Sequence, residues 1–82
     1  MVDPKRINEF KEQVQWLHEP EFGDFKRKVA LYIDRLAKDI GAPQNPTLRS
    51  QIEEMKKVVI YSPSGDMEKT RTKTLELAER MK

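Results

Sequence analysis

Apolar residues recur at three- and four-residue intervals over three stretches of the chain: Ile7, Phe10, Val14 and Leu17; then Phe25, Val29, Ile33, Leu36 and Ile40; then Leu48, Ile52, Met55 and Val59. That spacing places each set on one side of a helix and leaves the intervening charged residues on the other. Three amphipathic helices are predicted. Their starts are marked as well, because Asp3-Pro4 and Asn45-Pro46 pair a capping side chain with a proline in the first turn, where a missing N–H costs nothing. Helix two begins either at Pro20 or after a cap at Asp24.

A fourth stretch is less regular. Met67, Leu75, Ala78 and Met81 form a stripe only if Arg71, or the Thr70 and Thr74 pair, fills the gap between them, and the first half of this helix is expected to be exposed or frayed. Gly41 follows Ile40 where a left-handed cap ends a helix, and "GAPQNP" then reads as a linker.

The stretch "VVIYSPSGDMEKTRTKT" looks at first like a strand entering a phosphate-binding loop. Such a loop needs several backbone N–H groups turned into one concavity, and this one has a single glycine and a proline that removes a donor. Val59 also completes the spacing from Leu48, so "VVIY" is read as the end of helix three. Pro63, Ser64 and Gly65 then suit a type I turn, with Asp66 capping helix four. Ser62-Pro63 has the form of a proline-directed phosphorylation site, a form that is also common in turns.

Shifting the chain by 42 residues aligns Asp3-Pro4 with Asn45-Pro46 and Gly23-Asp24 with Gly65-Asp66. The predicted fold is therefore all-α, a small bundle of four short helices arranged as two tandem hairpins, with residues 3–41 in the first, a linker over 41–46, and residues 46–82 in the second. Eighty-two residues allow one small domain. Leu, Ile, Val and Phe make up about 23% of them, just above the roughly 20% below which a highly charged chain stays unfolded.

Charge changes this picture little. Sixteen basic and 14 acidic side chains leave a net charge of +2, which serves solubility more than it signals a polyanionic partner. The absence of cysteine excludes disulfides, thiolate metal sites and cysteine nucleophiles. No apolar run approaches the roughly 20 residues that span a bilayer, and the polar start lacks a signal-peptide core, so the chain is expected to be soluble and cytoplasmic, with no membrane partner.

Candidate chemistry is sparse. His18, the single histidine, falls near the end of helix one, where a helix dipole suits an imidazole structurally. Glu53 with Glu54, and Glu76 with Glu79, read as solvated helix faces, since nothing resembles the Glu-x-x-His spacing of di-iron bundles. No serine, lysine or carboxylate has an activating partner, so no catalytic residue, metal site or cofactor is expected.

Two groups remain. Trp16 and Tyr61 lie off the apolar stripes; residues of these types form core edges in small bundles and are also enriched at binding hot spots. The first expectation is accordingly a non-enzymatic module that associates with another protein or with itself. Lys26, Arg27 and Lys28 after one Gly-Asp corner, and Lys69, Arg71 and Lys73 after the other, place positive charge near helix starts, where it is mildly unfavourable. If both starts share one end of the bundle, these cations with Thr70, Thr72 and Thr74 would form a phosphate-contacting surface, and the second expectation is a nucleic-acid-binding regulator.

Overall fold

The computed structural model describes residues 3–61 and 66–81. Among these residues four helices form: α1 over Pro4–Trp16, α2 over Phe22–Asp39, α3 over Pro46–Ile60 and α4 over Met67–Glu79, with one turn of 3-10 helix at Ala42–Gln44. No strand occurs among the described residues. The all-α bundle expected from the periodicity is the observed fold.

Local chemistry explains where the helices start and stop. The Asp3 carboxylate accepts from the Lys5 amide at 3.0 Å, and the Asn45 side chain accepts from the amides of Thr47 and Leu48 at 3.0 and 3.2 Å. Pro4 and Pro46 stand in the first turns behind these caps. Gly41 takes φ 72°, the left-handed conformation that ends α2 at low cost only for glycine. α3 runs through "VVI" with Tyr61 as its C-cap, so the strand-like run is helical, as its spacing required. The turn expected at Pro63, Ser64 and Gly65, and the Ser62-Pro63 phosphorylation, lie outside the described residues.

Helix α2 begins at Phe22, between the two expected starts. Asp24 is consequently a first-turn residue of α2 rather than its cap, whereas Asp66 does cap α4, accepting from the Lys69 amide at 2.9 Å. The 42-residue likeness thus holds at the Asp-Pro and Asn-Pro corners and slips at the Gly-Asp corner.

Each helix packs against its neighbours in the chain, and α1 also packs against α4, closing a ring around one core. Because α2 meets α3 as well as α1, the contacts do not set two hairpins apart. Side-chain contacts fix the directions. Arg71 near the start of α4 reaches the last turn of α1, while Lys11 in mid-α1 pairs with Glu79 at the end of α4. Lys26 near the start of α2 reaches Ile60 at the end of α3, and Lys56 pairs with Asp34 one helix across. The bundle therefore alternates up and down, as short connections favour, and it is 35 Å long by 21 by 18 Å across.

The core holds Ile7, Phe10 and Val14 of α1, Phe25, Val29 and Ile33 of α2, and Ile52, Met55 and Val59 of α3, as the stripes predicted. α4 differs from expectation. Its first half is docked, not exposed, because Thr70, Arg71 and Thr74 are all buried. The threonine hydroxyls return their hydrogen bonds to their own helix, Thr70 Oγ1 to the Asp66 carbonyl at 3.0 Å and Thr74 Oγ1 to the Thr70 carbonyl at 2.8 Å, which lets them stand among apolar neighbours without an unpaired donor. Leu77 is also buried, while Leu75 sits at the core edge.

Candidate functional site

The alternation of helix directions brings the ends of α1 and α3 and the starts of α2 and α4 to one pole of the bundle. This pole is held together across helices. The last carbonyls of a helix have no partner within it and carry partial negative charge. Arg71 of α4 donates to two of them in α1, Val14 O at 2.9 Å and Gln15 O at 2.6 Å. Lys26 of α2 donates to Ile60 O at the end of α3, at 2.9 Å.

Arg71 is only 7% exposed, and it corrects the expectation that it faces a phosphate. Its guanidinium lies 5.2 Å from the centre of the buried Phe25 ring, a cation–π contact. Its Nε stands 3.2 Å from the Glu68 carboxylate, without directing its N–H at it, so that contact is ionic rather than a hydrogen bond. Thr70 and Thr74, expected as phosphate donors, are likewise inside.

The remaining cations do gather at this pole, but carboxylates are interleaved with them. Arg27 lies 3.4 Å from Asp24, Lys28 pairs with Glu19, and Lys69 lies 3.8 Å from Asp66. Glu19 raises the Lys28 ammonium above the ordinary lysine value, first through their hydrogen bond and then through its charge. Lys26 also lies 5.3 Å from the centre of the Phe22 ring. Lys73 and Thr72 are exposed.

The same pole carries large exposed apolar side chains. Among the described residues the large exposed hydrophobics are Trp16, Leu31, Ile60 and Tyr61. Trp16, Ile60 and Tyr61 lie at this end, and Trp16 and Tyr61 are 69% and 79% exposed. Trp16 projects from the side of α1 opposite its buried stripe, and Tyr61 stands just beyond α3, so neither can be core. Both were expected either at the core edge or in an interface, and the core-edge reading is excluded by their exposure.

A groove of about 580 Å³ runs between α3 and α4 from this pole. Lys57, Val58 and Tyr61 line it from α3 and its cap, and Lys69, Thr72 and Lys73 from α4, with Glu68 and Glu76 on the rim. Its accessible wall is mostly apolar. Periodicity had not signalled it, because the residues that form it lie on the polar faces of two helices and are joined only by the fold.

His18 is exposed, past the end of α1. Glu53, Glu54 and Glu76 are exposed too, and Glu79 pairs with Lys11. Among the described residues no group of three His, Asp or Glu side chains could hold a metal ion, and no helix is long and apolar enough to cross a membrane. Comparison of the chain with protein-family models, with curated proteins and with solved structures finds no match to any of them.

Proposed function

We propose that this protein is a non-enzymatic association module, an adaptor, regulator or self-associating subunit that binds through the apolar pole of its bundle. One observation carries the reading: among the described residues Trp16, Ile60 and Tyr61 are exposed at one end, and none of the exposed large hydrophobics lies at the other. Leu31 is a single exposed leucine midway along α2, which is ordinary for a small protein. Aromatic side chains held on rigid helix ends are suited to hot spots because little entropy is lost when they are buried.

The test places a photo-crosslinking side chain at position 16, 61 or 31 in the cell. Adducts are expected at Trp16 and Tyr61 and not at Leu31. Equal trapping at all three positions, or none at the pole, would overturn the proposal.

Nucleic-acid binding draws less support, since Arg71 is buried and Arg27, Lys28 and Lys69 stand beside carboxylates. It would rest on Lys26 and Lys73 with those three. Binding to duplex DNA and to RNA at two salt concentrations decides it, because contacts to several phosphates weaken steeply as salt rises. No binding at low salt removes that reading.

A further inference from the structure

The exposed face of α1 and the rim of the α3–α4 groove carry opposite charges, and one offers a large apolar side chain where the other offers an apolar wall. On α1, Glu9, Glu12 and Trp16 follow at spacings of three and four residues and share the side opposite the buried stripe of Ile7, Phe10 and Val14. Trp16 is 69% exposed, and Glu12 makes no ion pair among the described residues. Glu9 has only a long i,i+3 contact to Arg6 at 3.7 Å. The face is an indole preceded by carboxylates at one and two helical turns.

The groove presents the converse. Its wall is mostly apolar and its rim carries Lys57, Lys69 and Lys73. Lys57 and Lys73 have no ion-pair partner among the described residues, and Lys69 is 3.8 Å from Asp66 with its side chain 87% exposed. Of the two glutamates on the rim, Glu68 is already turned to Arg71 at 3.2 Å. Lys69 and Lys73 are one helical turn apart, about 6 Å, the same rise that separates Glu12 from Trp16. A volume of about 580 Å³ lies within the usual roughly 300–1,000 Å³ of sites that enclose large apolar groups.

We infer that the occupant of this groove is a second copy of the chain, which inserts Trp16 between α3 and α4 and sets Glu9 and Glu12 against Lys57, Lys69 and Lys73. This rests on the reading of the protein as an association module and names its partner. The two surfaces are different patches of one molecule, so the contact is heterologous: each copy offers one indole face and one groove. A single helix laid in a single groove covers less than a standard protein interface, which makes the association concentration-dependent and salt-sensitive.

Molar mass measured by sedimentation over a range of concentrations tests this with purified protein. Wild type is expected to gain mass as concentration rises. Trp16→Ala, which removes the insert, and the double variant Lys57→Glu/Lys73→Glu, which reverses the rim, are each expected to weaken association by about tenfold or more. Because the first variant keeps its groove and the second keeps its indole, mixing the two is expected to produce a two-chain species that neither forms alone.

Carrying Glu9→Lys/Glu12→Lys together with Lys57→Glu/Lys73→Glu in one chain reverses both surfaces and is expected to restore the wild-type behaviour. Wild type that stays monomeric throughout, or a mixture that stays monomeric, overturns the inference. If adducts to a different protein still form at Trp16 while wild type is monomeric, self-docking has failed and the association reading survives. If neither occurs, both have failed.

Discussion

The two ends of the bundle solve the same problem by different means. At one end α1 and α3 begin and α2 stops, and every loose backbone group named there meets a residue close by in sequence: Asp3 caps α1, Asn45 caps α3, and Gly41 turns the chain out of α2. At the other end α1 and α3 stop, and their last carbonyls are met by cations from different helices, Arg71 of α4 and Lys26 of α2. The helix ends named at the first pole are closed by neighbours in the chain, and the C-terminal ends of α1 and α3 at the second by neighbours in space. Closing an end from a distance couples helices that are remote in sequence, and it allows the side chains next to the helix ends, Trp16 and Tyr61, to point outward instead of capping.

The largest effect should come from breaking the long-range closure. Arg71→Ala leaves two carbonyls at the end of α1 without their charged donor and opens space beside Phe25. A loss of about 3 kcal/mol in unfolding free energy is expected, from charge-assisted hydrogen bonds and lost packing together. Arg71→Met should recover part of it, since it restores the packing and not the donors. Urea denaturation of the three proteins measures the difference, and an Arg71→Ala variant as stable as wild type would contradict the account of this pole.

Local closure should be weaker at each site. Asn45→Ala removes the acceptor for two first-turn amides and is expected to cost about 1 kcal/mol. Gly41→Ala places a Cβ at φ 72°, with a similar penalty of about 1 kcal/mol from backbone strain rather than crowding, because the nearest atom to that Cβ would be 3.8 Å away. The two sites do not share a hydrogen bond, so their effects should add to within a few tenths of a kcal/mol. Thermal melts of the single and double variants check both the sizes and the sum.

This division also explains what could be read from the sequence. Helices α1, α2 and α3 were legible, together with their core stripes, because apolar spacing and Asx-Pro caps are local signals. α4 was legible only in outline. Its inner face contains Thr70, Arg71 and Thr74, and periodicity counts these as polar. An arginine goes inside when acceptors wait for it, and those acceptors are carbonyls of Val14 and Gln15, more than fifty positions earlier. Leu77 was passed over for Leu75 because a stripe drawn through Met67 and Ala78 without the threonines tilts the face. Of the candidate contact residues, Trp16 and Tyr61 were found by their distance from the stripes. The groove between α3 and α4 was not, since no property of either helix alone encodes the space between them.

A smaller effect separates the ion pairs at the apolar pole from its buried closure. Glu19 raises the Lys28 ammonium above its ordinary value of 10.5. A raised value means that the folded chain holds this proton more tightly than the unfolded one. The resulting stabilisation is complete below about 10.5 and is lost as pH rises through the higher folded value. Lys28→Met should lower the neutral-pH stability by the small amount a half-exposed pair contributes, and the two proteins should converge as pH rises through the folded value. Melting temperatures of wild type and variant across the alkaline range provide the comparison; identical slopes would show that the pair does not form in solution.

The smallest expected change in stability is at the residues given the largest role in association. Trp16 and Tyr61 are mostly exposed and lie outside the core cluster, so Trp16→Ala and Tyr61→Ala should each alter the unfolding free energy by no more than about 0.5 kcal/mol. Large aromatics that can be removed without cost to the monomer are not there to hold the fold together. If either substitution destabilises the chain by about 2 kcal/mol in dilute solution, where association is absent, that side chain packs against its own bundle and the pole is a cap on the core. If both are silent in dilute solution and the loss appears only as concentration rises, the stabilisation is linked to binding by mass action. The contrast with Arg71 is then complete: one end-residue faces inward and joins helices of a single chain, while two beside it face outward and are left to join chains.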